Sequence, residues 1–483
     1  MDPIYGFSNS PRQNYLEAMA GNLDMFSRLT DEILLIIIFF LPFKEAARTC
    51  VLSKRWRHIW RETKNIDFDE RFFVGVGESQ ERQETQRQIF IDFARQWMKN
   101  YKKTGIDKFR LSCLKPVNFR EDVERCIAFA ISHNVKVLDL DFSDPILWEE
   151  DGFSNHEALF DLPMNVYGHV VLESLKLFSC SFRVSDFMNL KALKHVSLGW
   201  LQLKVSFIES LLLNCPLLES LSLTKCWNLE HLRINGPNLR LRSLVIDKCN
   251  FLRDHWFDIE APNLRFLKYS GVVGIFDIEI NRNYMEEADL DFGLEFEVDE
   301  AVGNLLHKLL EQLYPIRVLT VCSYMLQVIP LGEEPLRMSF PLNLKHLILK
   351  AAMHENELYG IRFFLNSCPY LETLTIEIGP GRVFDDYTPP FELNPDRFWT
   401  QCPKFDCLGR NLKVVDIKGF TGTRHEVCLL CYLIFYGRVL ECLNITIWKE
   451  GGANGGNVEV YRKRAQGLQS FKKGSPNLQI SIY

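Results

Sequence analysis

Three His-Glu pairs, at His156, His354 and His425, are the first residues whose spacing could serve a metal. A zinc-protease helix needs a second histidine four residues after the first, so that two imidazoles share one face. Those positions hold Phe160, Leu358 and Leu429. Cys428 and Cys431 stand at a partly zinc-like spacing, with Cys402 and Cys407 upstream. Only leucines separate Cys428 from Cys431, and free cysteine is among the most often buried residues, which gives this pair an ordinary place in a core. No P-loop or dinucleotide-binding glycine fingerprint occurs. The sequence thus offers no catalytic residue, no metal site and no cofactor, and the expected activity is binding rather than turnover.

One charged segment could bind a partner. Residues 277–300 carry ten acids and one base. Within it, Ala288–Val298 alternates apolar and polar as a half-buried strand does. The plain reading is a solvated outer face. The sharper one is an acidic rim at Glu295, Glu297 and Asp299 that recruits a basic segment of a client protein.

The whole chain has a net charge of −6, which argues against a generic nucleic-acid binder. Its 47% hydrophobic and 24% charged residues are those of a soluble globular protein. Fourteen cysteines spread from Cys50 to Cys442 do not form the dense framework of a small secreted domain. The first residues show no signal-peptide pattern. The longest apolar run, the nine residues Ile33–Leu41, falls short of the roughly 20 needed to cross a membrane. A cytoplasmic or nuclear protein is expected. The sequon at Asn444 then reads as chance, and Arg462–Arg464 as surface charge on the last helix.

The elements that must carry any binding surface are short and repeated. An apolar–x–apolar unit recurs, as in Phe109–Leu111, Leu138–Leu140, Leu175–Leu177 and Val196–Leu198. The steps Leu221→Leu244→Leu267→Leu290 are each 23 residues, and those through Leu319, Leu347 and Leu374 are 29, 28 and 27. Further units are Val415–Ile417 and Leu443–Ile445. One short strand per 20–29 residues is the signature of leucine-rich repeats. Pro216, Pro262 and Pro369 each lie five residues before a strand leucine, where a fixed φ sets the strand's entry. Helical stretches precede some strands, at 207–212 and 361–365. Helical spacing also marks 89–99 and 121–132. The stretch 75–88, polar and with two glycines, reads as a loop.

Ahead of the repeats, residues 25–62 form a compact helical module. Asp31 and Glu32 open its first helix, where negative charge suits the dipole, and Thr30 can cap it. The helix is then apolar on every side until Pro42 ends it. A helix apolar all round must be covered all round. A module of under about 40 residues cannot do that alone. The rest of its surface must meet the repeats or another protein. Ser53 caps a third helix, on which Trp56, Ile59 and Trp60 share a face.

The run Met25–Leu34, then Leu41–Thr49, then Val51-Leu-Ser-Lys-Arg-Trp-Arg-His-Ile-Trp60 closely resembles the plant-type F-box. Thr30 departs from it, standing where the family usually has proline. The resemblance implies a Skp-type adaptor as partner and, through it, a cullin scaffold. It implies adaptor contacts from Leu29, Ile33, Leu34, Ile37, Leu41, Pro42, Leu52, Ser53, Trp56 and Trp60. Several of these could equally be the module's own core. Residues 411–447, with Tyr461–Arg464 and Ser475–Leu478, resemble the FBD domain that accompanies F-boxes and leucine-rich repeats in plant proteins; Gly437-Arg438 departs from its pattern. Physically this region reads as a terminal cap on the stack.

The expected architecture is α/β. A flexible tail (1–23) and a three-helix F-box (24–62) lead through a connecting segment (63–105) to an irregular leucine-rich-repeat solenoid (106–398), a curved sheet of short parallel strands with outer helices. An FBD-like domain (399–483) follows. The expected function is substrate recognition in a Skp–cullin–F-box ubiquitin ligase, with a client protein on the repeats and neither nucleic acid nor membrane as partner. The alternative is an adaptor-bound module or sensor that does not promote degradation. No dense basic cluster that would hold a polyphosphate lies on the strands.

Overall fold

The structure, a computed structural model, describes residues 25–41, 43–75, 77–102, 105–144, 159–181, 190–236, 238–252, 255–281, 284–384, 387–392, 394–395, 397–450 and 456–483. The expected tail 1–23, Pro42 and His156 lie outside them. The chain separates into two compact units, 1–142 and 143–483.

The first unit begins with three short helices, α1 (Asp31–Phe40), α2 (Phe43–Arg48) and α3 (Lys54–Ile59). Ser53 caps α3 as expected, its hydroxyl accepting the Trp56 N–H at 3.3 Å. Thr30 does not cap α1 through its side chain. Its hydroxyl instead bonds Glu32, and with the Glu32 backbone N–H it holds that carboxyl below the ordinary range. Three parallel strands follow, β1 (Asn65–Asp69), β2 (Lys108–Ser112) and β3 (Val137–Asp141), paired in that order. Two helices alternate with them, α4 (Gln80–Asn100) and α5 (Arg120–Ser132).

Helix α4 corrects the sequence reading, because the expected loop 75–88 is helical from Gln80 onward. Glutamine, glutamate and arginine are good helix formers even where no apolar stripe reveals the helix. Arg82 pairs with Glu78 at 3.1 Å, and the buried Arg87 meets the buried Glu70 at 2.8 Å. Glu70 also accepts the Leu114 N–H at 2.8 Å. Burial pushes the Glu70 carboxyl up, against the pull of those two donors. Phe43 on α2 ties the helical module to the strands, with its ring 5.8 Å from Phe68 on β1 and 5.7 Å from Trp97 on α4.

In the second unit the described residues form a ladder of twelve parallel strands, from Ser174–Phe178 to Gln479–Ile482. Two inward positions of each strand before the last build the core: Leu221 and Leu223, Leu244 and Ile246, Leu267 and Tyr269 are all buried. A charged residue stands just before most strands, and its carbonyl takes two N–H groups from the next repeat. Glu219, for example, accepts from Arg242 at 2.8 Å and Ser243 at 3.0 Å. The charges of these residues then pair between repeats, as Lys194 does with Glu173 at 2.8 Å and Lys345 with Glu372 at 2.6 Å. The prolines sit in tight turns before the strands, closed by Leu218 N–H to Cys215, Leu264 N–H to Ala261 and Leu371 N–H to Cys368.

This register corrects the repeat count. Leu267 lies opposite Ala288, and Tyr269 opposite Leu290. The step from Leu267 is therefore 21 residues, to Ala288, and the next runs 31 residues to Leu319. Two of the 23-residue steps are real repeats; the third is a coincidence of a leucine two positions too late. A second set of strands escaped the sequence reading. Leu232–Ile234, Trp256–Glu260 and Ile275–Glu279 form a separate parallel sheet. At its edge strand Ile275–Glu279 one side chain takes up two backbone groups: Gln312 accepts the Ile278 N–H at 3.0 Å and donates to the Phe276 carbonyl at 2.8 Å. That blunts a template for pairing with another chain.

The C-terminal strands Val414–Phe420, Cys442–Ile447 and Gln479–Ile482 continue the same ladder, with the helix Arg424–Tyr436 between the first two. The order strand, glycine turn, helix, strand is as expected. Among the described residues these strands extend the repeat ladder.

Candidate functional site: an exposed apolar face on the helical module

Helix α1 has two unlike sides. Leu34 and Ile38 are 0% and 1% exposed and face the module's own core, four residues apart. Ile33, Ile36, Phe39 and Phe40 are exposed, Ile36 by 56% and Phe40 by 77%. Val51 and Leu52, in the turn between α2 and α3, are 83% and 63% exposed. Phe26 adds a further exposed ring, 6.1 Å from Trp56. Scattered exposed apolar side chains are ordinary, but seven within a 27-residue stretch mark an interaction site.

The core beneath holds this face in place. Trp56 and Ile59 on α3 and Trp60 in the turn just after it are buried, and Trp60 packs edge-on to Phe43 at 5.9 Å. Arg55 Nε bonds Asp31 at 2.7 Å, and Arg55 Nη2 bonds the Leu29 carbonyl at 2.5 Å. That clamp fixes the start of α1 against α3.

The adaptor residues expected from sequence therefore divide. Ile33, Leu52 and Ser53 are exposed, and Leu29, Ile37 and Leu41 are half-buried. Leu34, Trp56 and Trp60 belong to the core and support the face without forming it. Pro42 lies outside the described residues. Sequence reasoning missed Phe26, Ile36, Phe39, Phe40 and Val51. The signal was present in a helix too apolar for its module to cover, yet composition alone does not tell an inward isoleucine from an outward one.

Of the expected acidic rim, Glu297 and Asp299 are exposed and Glu295 is not. Strand Glu287–Asp291 ends before residues 292–298, which are not strand. Glu295 is buried and accepts three backbone N–H groups, from Val273 at 2.8 Å, Phe296 at 2.7 Å and Glu297 at 3.0 Å. Asp299 caps the helix Glu300–Gln312 by accepting the Val302 N–H at 2.9 Å. Of the three, Glu297 alone is an exposed acid without such a structural bond among the described residues. Cys402 and Cys407 are buried, and the Cys407 thiol donates to the Leu365 carbonyl at 3.6 Å.

A helical module with an outward apolar face, followed by parallel strand repeats, is the build of an interaction protein. Comparison with known proteins gives the family. The F-box domain model matches residues 26–67, and the model described as "At1g61320/AtMIF1, LRR domain" matches residues 97–467. The "F-box protein At3g62230" of Arabidopsis thaliana is 34% identical over 463 residues, covering 95% of this chain and 99% of that protein. The "Putative F-box/LRR-repeat protein At1g56400" of the same plant is 36% identical over 422 residues, covering 86% and 87%. The "Putative F-box/FBD/LRR-repeat protein At1g66290", also from Arabidopsis thaliana, is 26% identical over 442 residues, covering 88% and 87%. The chain belongs to the F-box/LRR-repeat protein family. Both matched domains are interaction modules, and the protein has an adaptor-type role.

Proposed function

We propose that this protein is the substrate-recognition subunit of a Skp–cullin–F-box ubiquitin ligase. The face formed by Ile33, Ile36, Phe39, Phe40, Val51 and Leu52 docks on a Skp-type adaptor, the adaptor docks on a cullin, and the repeats hold a client protein. The concentration of exposed apolar side chains at α1 and the α2–α3 turn is the observation that carries this reading. Buried against a partner, these residues form the apolar centre of an interface; left in water, they are a liability. The mechanism is proximity: holding client and ligase machinery on one chain makes ubiquitin transfer effectively intramolecular. The chain itself performs no bond-making step, and it acts in the cytoplasm or nucleus.

Co-purification with a recombinant Skp-type adaptor and a cullin tests this. Leu52→Asp should remove the adaptor from the complex while the circular dichroism spectrum stays that of the wild type, because Leu52 already faces water. Retention of the adaptor by a folded Leu52→Asp chain would sink the docking face. Adaptor and cullin capture without ubiquitylation of any bound client would favour the second reading, an adaptor-bound sensor.

A further inference from the structure

Among the described residues, strand Gln479–Ile482 ends the ladder with a neighbour on one side only, Cys442–Ile447. That pairing uses the backbone of Gln479, Ser481 and Tyr483. The Gln479 N–H bonds the Glu441 carbonyl at 2.8 Å, the Tyr483 N–H bonds the Ile445 carbonyl at 2.8 Å, and the Tyr483 carbonyl accepts the Ile447 N–H at 3.1 Å. Successive residues of a strand turn their N–H and C=O to opposite edges. Those of Ile480 and Ile482 therefore point away from the ladder, where no described strand meets them.

The core layer is unfinished on the same side. Leu443 and Ile445 are 1% and 0% exposed, whereas Ile480 and Ile482, opposite them in register, are only half-buried. Nor is the edge blunted. Open strands are ordinarily protected by a charge, a proline, a bulge or a covering group. The small sheet has Gln312 at its edge strand. Gln479-Ile-Ser-Ile carries neither charge nor proline. Lys473 reaches the Leu478 carbonyl at 3.0 Å, ahead of the strand.

We propose that this edge pairs with the same edge of a second copy of the chain, about a two-fold axis at Ser481. A two-fold joins edge strands antiparallel, and the residue order fits that register. Ile480 stands opposite Ile482 of the second copy, each exchanging N–H and C=O with the other, and Ser481 stands opposite Ser481. Every outward group of the two isoleucines is then bonded. Their side chains meet on the core face and finish a layer that one copy leaves half-covered. Neutrality singles out a second copy as the occupant, because no like charges meet across the axis. Asp416 holds the same register position two strands earlier, and there the axis would set carboxylate against carboxylate. A dimer offers a client two sets of repeats and so two attachment points.

Sedimentation of the full chain without adaptor, across a range of concentrations, tests this apart from the docking face. A reversible dimer is expected. Ser481→Lys and Ser481→Asp change a half-exposed side chain outside the core, so both variants should keep the wild-type unfolding temperature. Each alone should weaken self-association about fivefold, since like charges then face each other across the axis. An equal mixture of the two should associate at least as tightly as the wild type. A chain that stays monomeric, whether its edge is free or taken by an extended segment of another protein, would overturn the proposal. So would a dimer that both Ser481 variants leave unchanged, or a mixture that fails to restore it.

Discussion

Leu34 and Ile36 lie two residues apart on α1, and the structure gives their truncation opposite consequences. Leu34 is wholly buried. Replacing it with alanine removes its transfer energy and leaves a void in a small core, at a cost of about 3 kcal/mol or more. Ile36 is 56% exposed, so Ile36→Ala costs the fold no more than about 1 kcal/mol. In the complex the balance reverses. Covering the exposed half of Ile36 recovers roughly half of the ~2–3 kcal/mol that full burial of an isoleucine provides, which is about tenfold in affinity. Ile36→Asp should lose more than about a hundredfold, since a carboxylate is then buried against the adaptor without a partner. Thermal unfolding of the free chain and calorimetric titration with a Skp-type adaptor measure the two effects separately. Leu34→Ala should lower the unfolding temperature markedly, and Ile36→Ala should hardly move it. If Ile36→Ala destabilised the free chain as much as Leu34→Ala, or if Ile36→Asp bound the adaptor with wild-type affinity, the assignment of the two faces would be wrong.

Two further outcomes test the repeats. Ala288→Leu should destabilise the second unit by about 1–3 kcal/mol, because the position is closed on both sides by Leu267 and Leu319 of the adjacent strands; a neutral effect in chemical denaturation would restore the 23-residue register. His307 is buried with its Nε2 3.0 Å from the Ile329 carbonyl. Burial holds its pKa below the ordinary ~6.5, against the opposing pull of that carbonyl and of Glu311, Glu334 and Glu333. A base whose folded pKa is depressed gives stability that is full above the unfolded value and lost as pH falls from it through the folded one. The unfolding temperature should therefore drop between about pH 7 and pH 5, and His307→Gln should flatten that slope; an unchanged slope in the variant would assign the effect elsewhere.

The repeats were legible because strand alternation is local: two buried positions per unit recur whatever surrounds them. The spacing was less so. Ala288 fills a leucine position, and only its pairing with Leu267 shows that Leu290 is one core position too late to start the unit. Helix α4 was half legible: its apolar spacing from Ile89 was visible, but its first turns are polar and are secured by the Arg87–Glu70 pair between residues distant in sequence. Glu295 looked like surface charge because its neighbours are acidic, while its actual partners include Val273 on the preceding repeat.

For the helical module, the order of residues alone shows that α1 needs more cover than its module provides, that Ser53 starts α3, and that Trp56, Ile59 and Trp60 lie together. Those are consequences of helical spacing and capping, which act over a few residues. That Leu34 and Ile38 turn inward and Ile33, Ile36, Phe39 and Phe40 outward is settled by packing between the helices. All six side chains are apolar, so none prefers water by its own chemistry. The choice belongs to α3 and the turn after it, which pack against one side of α1 and leave the other side open.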